Sequence, residues 1–262
     1  MNLDLSGKRA IVCGASAGIG KACAFELASL GADVTVIARS ADKLAAVVAE
    51  LPRPRAQSHS LLTVDLADPA SARAAADSWI AAHGVCHILV LNTGGPAPGR
   101  AIDTPADAFR LGFESLLATP HELVRAFTPG MRREGFGRII IIGSTSVKQP
   151  IPGLAVSNAV RAATANWAKT LSQELGAFGI TVNNVLPGYT RTERLAEIFR
   201  ARAHKAGLPI EQAEAAAIAD IPAARFGEAS EIAAAVGFLA SPAASYINGV
   251  SLPVDGGRLG TL

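Results

Sequence analysis

The sequence predicts a single α/β domain: a doubly wound parallel sheet of seven strands with helices on both faces. Three observations predict it. Short apolar runs alternate with longer Ala-rich amphipathic segments along the 262 residues. Several of the short runs are nearly continuous in Val, Ile and Leu, the pattern of strands buried on both faces of a parallel sheet. The first run ends in a glycine-rich turn, and a helical pattern begins at once.

The elements follow in order. The first strand is expected at 9–13 and the first helix at 18–30, straight after the glycines. A second apolar run at 33–38 leads to a helix over 41–51, and a third at 60–64 to an Ala-rich helix over 69–82. The fourth run, 87–92, precedes a long helical stretch at 105–134, and the fifth, 138–143, precedes one at 154–177. The sixth strand is expected at 181–186, a helix at 229–239 and the last strand at 250–254. Such alternation implies right-handed crossovers and helices on either side of the sheet. Only 191–226 breaks it. That stretch is helical in character and charged at Arg191, Glu193 and Arg194, and an insertion there is expected to form a lid over a ligand. Without a repeat, linker or shift of composition, residues 1–262 form one domain.

Half of the residues are hydrophobic and 18% are charged, enough for a large core and against disorder. A net charge of +2 does not favour nucleic acid or an anionic membrane as partner. Cys13, Cys23 and Cys86 are scattered with no CxxC pair, which fits reduced buried thiols and a cytoplasmic protein. The N-terminus has no basic region followed by an apolar stretch, and no apolar run approaches the ~18 residues of a membrane span. The five histidines show no ligand spacing, so no metal site is expected.

The glycine turn points to a dinucleotide. In it Gly14, Ser16, Gly18, Ile19 and Gly20 stand between a strand and a helix, the context in which such a pattern carries meaning. Glycines permit a tight turn and close backbone approach, and the helix N-terminus offers free N–H groups to a pyrophosphate. This is the signature of a Rossmann-type fold. The second strand ends Ala38-Arg39-Ser40, where an NAD-preferring site places an acidic residue for the ribose 2′-hydroxyl. Arg39 instead offers a guanidinium to a 2′-phosphate, with the Ser40 hydroxyl in support, so NADP(H) is favoured over NAD(H). Asp65 and Leu66, at the end of the third strand, are placed for the adenine, and the segment of Asn92 and Gly94 for the adenosine ribose.

These motifs resemble the short-chain dehydrogenase/reductase family over nearly the whole chain. Gly14…Gly18-Ile19-Gly20 matches its glycine motif, and Asn92-Thr93-Gly94-Gly95 is similar to its Asn-Asn-Ala-Gly. Ser144 falls where the family carries its active-site serine, and Pro187-Gly188-Tyr189-Thr190-Arg191-Thr192 matches the Pro-Gly-x-x-x-Thr that receives the nicotinamide. Arg225-Phe226-Gly227 and Asn248-Gly249…Val254-Asp255-Gly256-Gly257 match its C-terminal signature. The resemblance is greatest to members known as 3-oxoacyl-acyl-carrier-protein reductases. It implies a nicotinamide cofactor across the C-terminal edge of the sheet, held in part by Pro187, Gly188, Thr190 and Thr192, with a small carbonyl or alcohol as substrate. It also implies a homo-oligomer, a tetramer or a dimer.

The chain departs from the family where the proton moves. The family's tetrad is asparagine, serine, tyrosine and lysine; here Ser157 stands at the tyrosine position and Arg161 at the lysine position. No asparagine lies within 113–117, where Ser115 and Leu116 are the candidates for that place. A serine hydroxyl is shorter and far less acidic than a phenol. Arg161 keeps a charge for the nicotinamide ribose but cannot shuttle a proton. Three readings follow. Tyr189, or less readily Lys148 or His121, replaces the missing acid; or Ser144 and Ser157 position a water that relays the proton; or the chain is a dinucleotide-binding protein with little or no dehydrogenase activity, a sensor or partner subunit.

Overall fold

The computed structural model describes residues 1–261. Its sheet has seven parallel strands in the order β3-β2-β1-β4-β5-β6-β7. These are β1 (Arg9–Cys13), β2 (Asp33–Ala38), β3 (Ser60–Thr63), β4 (Ile88–Leu91), β5 (Gly137–Ile142), β6 (Ile180–Pro187) and β7 (Ser251–Val254). The helices are α1 (Gly18–Ser29), α2 (Ala41–Glu50), α3 (Pro69–His83), α4 (Ala106–Phe113), α5 (Thr119–Glu134), α6 (Ala155–Leu175), α7 (Glu193–Ala206), α8 (Ile210–Ala219) and α9 (Ala229–Ala240).

The pleat of the strands sorts the core into two layers. In β1, Ala10 and Val12 face a cluster with Cys23, Ala24 and Leu27 of α1, Leu44 and Val47 of α2, and Ile232 and Val236 of α9. Ile11 and Cys13 face the opposite cluster, with Ala76 and Trp79 of α3, Leu123 and Phe127 of α5, and Ala168 of α6. Alternate residues of a strand point to opposite faces, so continuous apolar runs supply both layers. The three cysteines are free and buried, and burial pushes the Cys13 and Cys23 thiols up to about 12.

The expected single helix over 105–134 is divided. Between α4 and α5 lies a π-helical turn, Glu114–Ala118. Pro120 is the cause: it has no N–H for the carbonyl four residues back, and its ring crowds that carbonyl. The carbonyl, of Leu116, accepts the Thr164 hydroxyl at 3.0 Å instead, and a wider turn leaves room for that bond. The strand order reverses between β1 and β4, and the crevice at the C-terminal ends of the strands on either side of such a reversal is where ligands lie in folds of this kind.

Candidate functional site

A single cleft of about 740 Å³ runs along the C-terminal edge of the sheet. Its middle is the turn between β1 and α1. Gly14 and Gly18 take positive φ, 61° and 55°. A Cβ on Gly14 would stand 2.5 Å from the Asn92 carbonyl oxygen, and one on Gly18 would close to 3.3 Å from Thr192 Cγ2. The N-cap of α1, Ala17, offers no side-chain cap, and the first turn has no acidic residue. The helix therefore begins with uncapped N–H groups and an uncompensated positive dipole end. Both fit a dinucleotide's pyrophosphate.

One end of the cleft holds Arg39, Ser40 and Lys43. Lys43 belongs to no motif in the sequence. Its spacing was the available signal, since it lies four residues after Arg39 and on the first full turn of α2. Asp65 and Leu66 line the cleft beside them, and one Asp65 oxygen accepts the Ala67 N–H at 3.0 Å. Asn92 and Gly94 also line it, but the Asn92 amide is committed to the fold, donating to the Cys13 and Gly14 carbonyls at 3.3 Å.

The other end gathers Ser115, Ser144, Ser157, Arg161, Pro187, Gly188, Thr192, Glu193 and Arg194. Ser144 follows β5, and its Oγ accepts the Ser146 N–H at 3.1 Å, so its proton remains to donate. Ser157 lies on the first turn of α6, half-buried, with no partner for its hydroxyl among the described residues. One turn on, Arg161 Nη1 donates to the Ile142 and Gly143 carbonyls at 2.9 and 3.0 Å, which anchors it under Ser144. Burial and then the charge of Arg194 push its pKa down to about 10. Behind Arg161 a cavity of about 20 Å³ adjoins the cleft, lined by Thr93, Leu116 and Thr164 among others, enough for one water. Of the two candidates for the asparagine position, Leu116 lines the cavity and Ser115 the cleft.

The walls are braced. Asn158 accepts from the Ile151 N–H at 3.2 Å and donates to the Ile151 carbonyl at 2.9 Å, which pins the loop after Ser144 to α6. Gly99 and Leu154 form an isolated parallel bridge. Thr192 caps α7 by accepting the Leu195 N–H, and Arg194 Nη2 reaches across to the Gly95 and Pro96 carbonyls, both at 3.1 Å. From the sequence Arg194 is only one charge among three; nothing local to it signals a contact with the loop after β4.

Five of the expected residues lie off the cleft. Tyr189 does not line the cleft. Its ring packs with Phe199 and Phe226 in a small separate core, and its hydroxyl accepts from Arg202 at 3.1 Å. The apolar residues of α7 and α8 need that ring, which takes it away from the reacting end. Gly20 and Thr190 also lie off the cleft. A Cβ on Gly20 would meet the Gly14 carbonyl oxygen at 2.2 Å, so its smallness serves helix–strand packing. Thr190 is buried and donates to the Gly188 carbonyl at 3.2 Å. Neither Lys148 nor His121 lines the cleft; His121 stands edge-on to Trp167.

Residues 14–258 match the family model for enoyl-(acyl carrier protein) reductase. The chain is 34% identical over 255 residues to a 3-oxoacyl-[acyl-carrier-protein] reductase of Pseudomonas aeruginosa, covering 97% of this chain and 98% of the relative. It is 33% identical over 260 residues, with the same coverage, to an uncharacterized short-chain type dehydrogenase/reductase of Sinorhizobium fredii. In structure it resembles the L-sorbose reductase of Gluconobacter frateurii, solved with NADPH and L-sorbose, at a TM-score of 0.93 and 30% identity over the whole of both chains. Among the described residues no metal-binding cluster is found, and no helix is long and apolar enough to cross a membrane.

Proposed function

The chain belongs to the short-chain dehydrogenase/reductase family, and from that premise we propose that it is an NADP(H)-dependent oxidoreductase of a small carbonyl or alcohol whose proton is relayed by water. The observation that carries this is the single cleft joining Arg39, Ser40 and Lys43 at one end, through the glycine turn, to Ser144, Ser157 and Arg161 at the other. Two cations and a hydroxyl favour a 2′-phosphate over a bare ribose hydroxyl.

The nicotinamide, when bound, gives or accepts the hydride. The residues do the rest. Ser144, whose own proton is unclaimed, donates to the substrate oxygen. Arg161 holds positive charge beneath that oxygen and within reach of the nicotinamide ribose; at a pKa of about 10 it stays charged at neutral pH. Ser157 is too weak an acid to replace a phenol, so it orients water. That water takes the place of the family's tyrosine, and its route is the open cleft that the shorter side chain leaves. Pro187, Gly188 and Thr192 seat the nicotinamide end. The segment 191–226 serves as a lid, supported by its four residues on the cleft: Thr192, Glu193, Arg194 and Ile198. The reading carries with it a cytoplasmic location and assembly with copies of itself, a tetramer in the manner of the family.

Calorimetric titration with NADPH and NADH, followed by turnover on a carbonyl panel, tests the reading. Micromolar binding of NADPH and turnover lost in Ser144→Ala are expected; binding of neither cofactor overturns it. The absence of any phenol on the cleft favours a second reading, a dinucleotide-binding protein without dehydrogenase activity. Turnover that depends on Ser144 excludes that second reading.

A further inference from the structure

Arg161 and Arg194 line the same end of the cleft, and neither pairs with a carboxylate among the described residues. Nη1 of Arg161 is held by the β5 carbonyls and Nη2 of Arg194 by Gly95 and Pro96. These bonds fix both guanidiniums and leave Nε and Nη2 of Arg161, and Nε and Nη1 of Arg194, without a protein acceptor. The acidic residue nearest in sequence, Glu193, is bound to Arg200. The arrangement is costly in itself. Two like charges facing one cleft repel, and Arg161, held in the wall, has lost hydration that no protein anion replaces, while Arg194 stays exposed. The repulsion registers on Arg161, whose pKa the Arg194 charge lowers.

We propose that this pair recognises a carboxylate carried by the substrate, so that the substrate class is an oxo acid or hydroxy acid, with the reacting carbon next to or one removed from the carboxylate carbon. This rests on the oxidoreductase reading above. The hydroxyls of Ser144 and Ser157 line the same end of the cleft, so a carboxylate across the two guanidiniums leaves the neighbouring carbonyl for Ser144. A guanidinium meets a carboxylate through two parallel charge-assisted bonds, and a fixed one loses little side-chain freedom in doing so. A neutral ester or a bulky thioester offers no such charge. The competing occupant is the cofactor's own pyrophosphate, since Thr192, two residues from Arg194, lies near Gly18.

The test compares 2-oxo and 3-oxo acids of three to six carbons with their methyl esters, as substrates with NADPH and as ligands of the protein–NADP+ complex by calorimetry. The acids are expected to exceed the esters about tenfold or more in kcat/KM or, where none is turned over, in affinity. Arg194→Gln, which keeps an amide donor for the Gly95 and Pro96 carbonyls, is expected to erase that preference while changing the Kd of NADPH less than threefold. Esters that equal the acids overturn the inference and leave the oxidoreductase reading standing. So does an Arg194→Gln protein that keeps the preference, or one that loses NADPH affinity and retains it, which assigns Arg194 to the pyrophosphate. Acids that neither react nor bind overturn the inference as well. If NADPH itself does not bind, both readings fall.

Discussion

Ser157 lines the cleft, and its hydroxyl has no protein partner among the described residues. In the proposed reaction Ser144 donates to the oxygen on which charge develops. Ser144→Ala is expected to lower kcat by about a hundredfold to a thousandfold, the range for losing one such donor. Tyr189→Phe is expected to change kcat less than threefold, because the Tyr189 hydroxyl is spent on Arg202. Steady-state kinetics of the two variants decides between them: a large loss in Tyr189→Phe would return Tyr189 to the reaction. Position 189 also shows where sequence reading stops. Pro187-Gly188 locates the residue in the chain to within one position of the expected nicotinamide seat, but the direction of its ring is set by Phe199 and Phe226. Both lie on later elements that only the tertiary fold brings to it.

Among the elements, the strands were legible almost to the residue because each is a short apolar run bounded by turns. Boundaries differ by one residue at one or both ends of β3 to β7; at β4 and β5 the flanking His87 and Gly143 belong to the loops. The long helix 105–134 was not legible as three pieces, since Pro120 fits the first turn of a helix as readily as a break within one. Its consequence is a single bond. Thr164 is buried, and its hydroxyl is shared between the Val160 carbonyl of its own helix at 2.9 Å and the Leu116 carbonyl that Pro120 frees at 3.0 Å. Thr164→Val should leave that carbonyl unpaired and cost about 1–3 kcal/mol, read as a lower urea midpoint with unchanged slope; an unchanged midpoint would mean that water replaces the bond. At the opposite edge of the sheet, His87 ties β4 to β1 by accepting the Arg9 N–H on Nδ1 at 3.0 Å. Burial, then Lys8 and Arg9, lower its pKa to about 4. The folded state thus binds fewer protons than the unfolded chain, so stability rises with pH between those two pKa values. It is full above about 6.5, the ordinary histidine value, and is lost as the pH falls towards 4. His87→Gln should flatten that part of the stability curve in chemical denaturation from pH 7 to pH 4, and a curve identical to wild type would remove His87 from the account.

Over the whole molecule, the cleft crosses the reversal of strand order, so a ligand filling it touches both halves of the sheet. Arg39, Lys43 and Asp65 follow β2 and β3, while Ser144, Arg161 and Pro187 belong to the elements around β5 and β6. A dinucleotide bound only by the folded chain must then stabilise the fold as one unit. At a hundred times its Kd it contributes about 2.7 kcal/mol, and for a domain of this size each kcal/mol raises the melting temperature by about 2–4 °C. NADPH is therefore expected to raise Tm by about 5–10 °C. NADH at the same concentration should raise it less, because Arg39 and Lys43 find no 2′-phosphate. The double variant Arg39→Ala, Lys43→Ala should bring the NADPH shift down to that of NADH and leave the NADH shift as it was. Differential scanning fluorimetry with the four combinations reads this directly. Equal shifts in the wild-type protein would refute discrimination at the 2′ position and leave the glycine turn as the binding determinant. A shift by neither nucleotide would remove the dinucleotide from the cleft altogether. The size of the shift thus separates what the glycine turn does for any dinucleotide from what the end of β2 does for one of them.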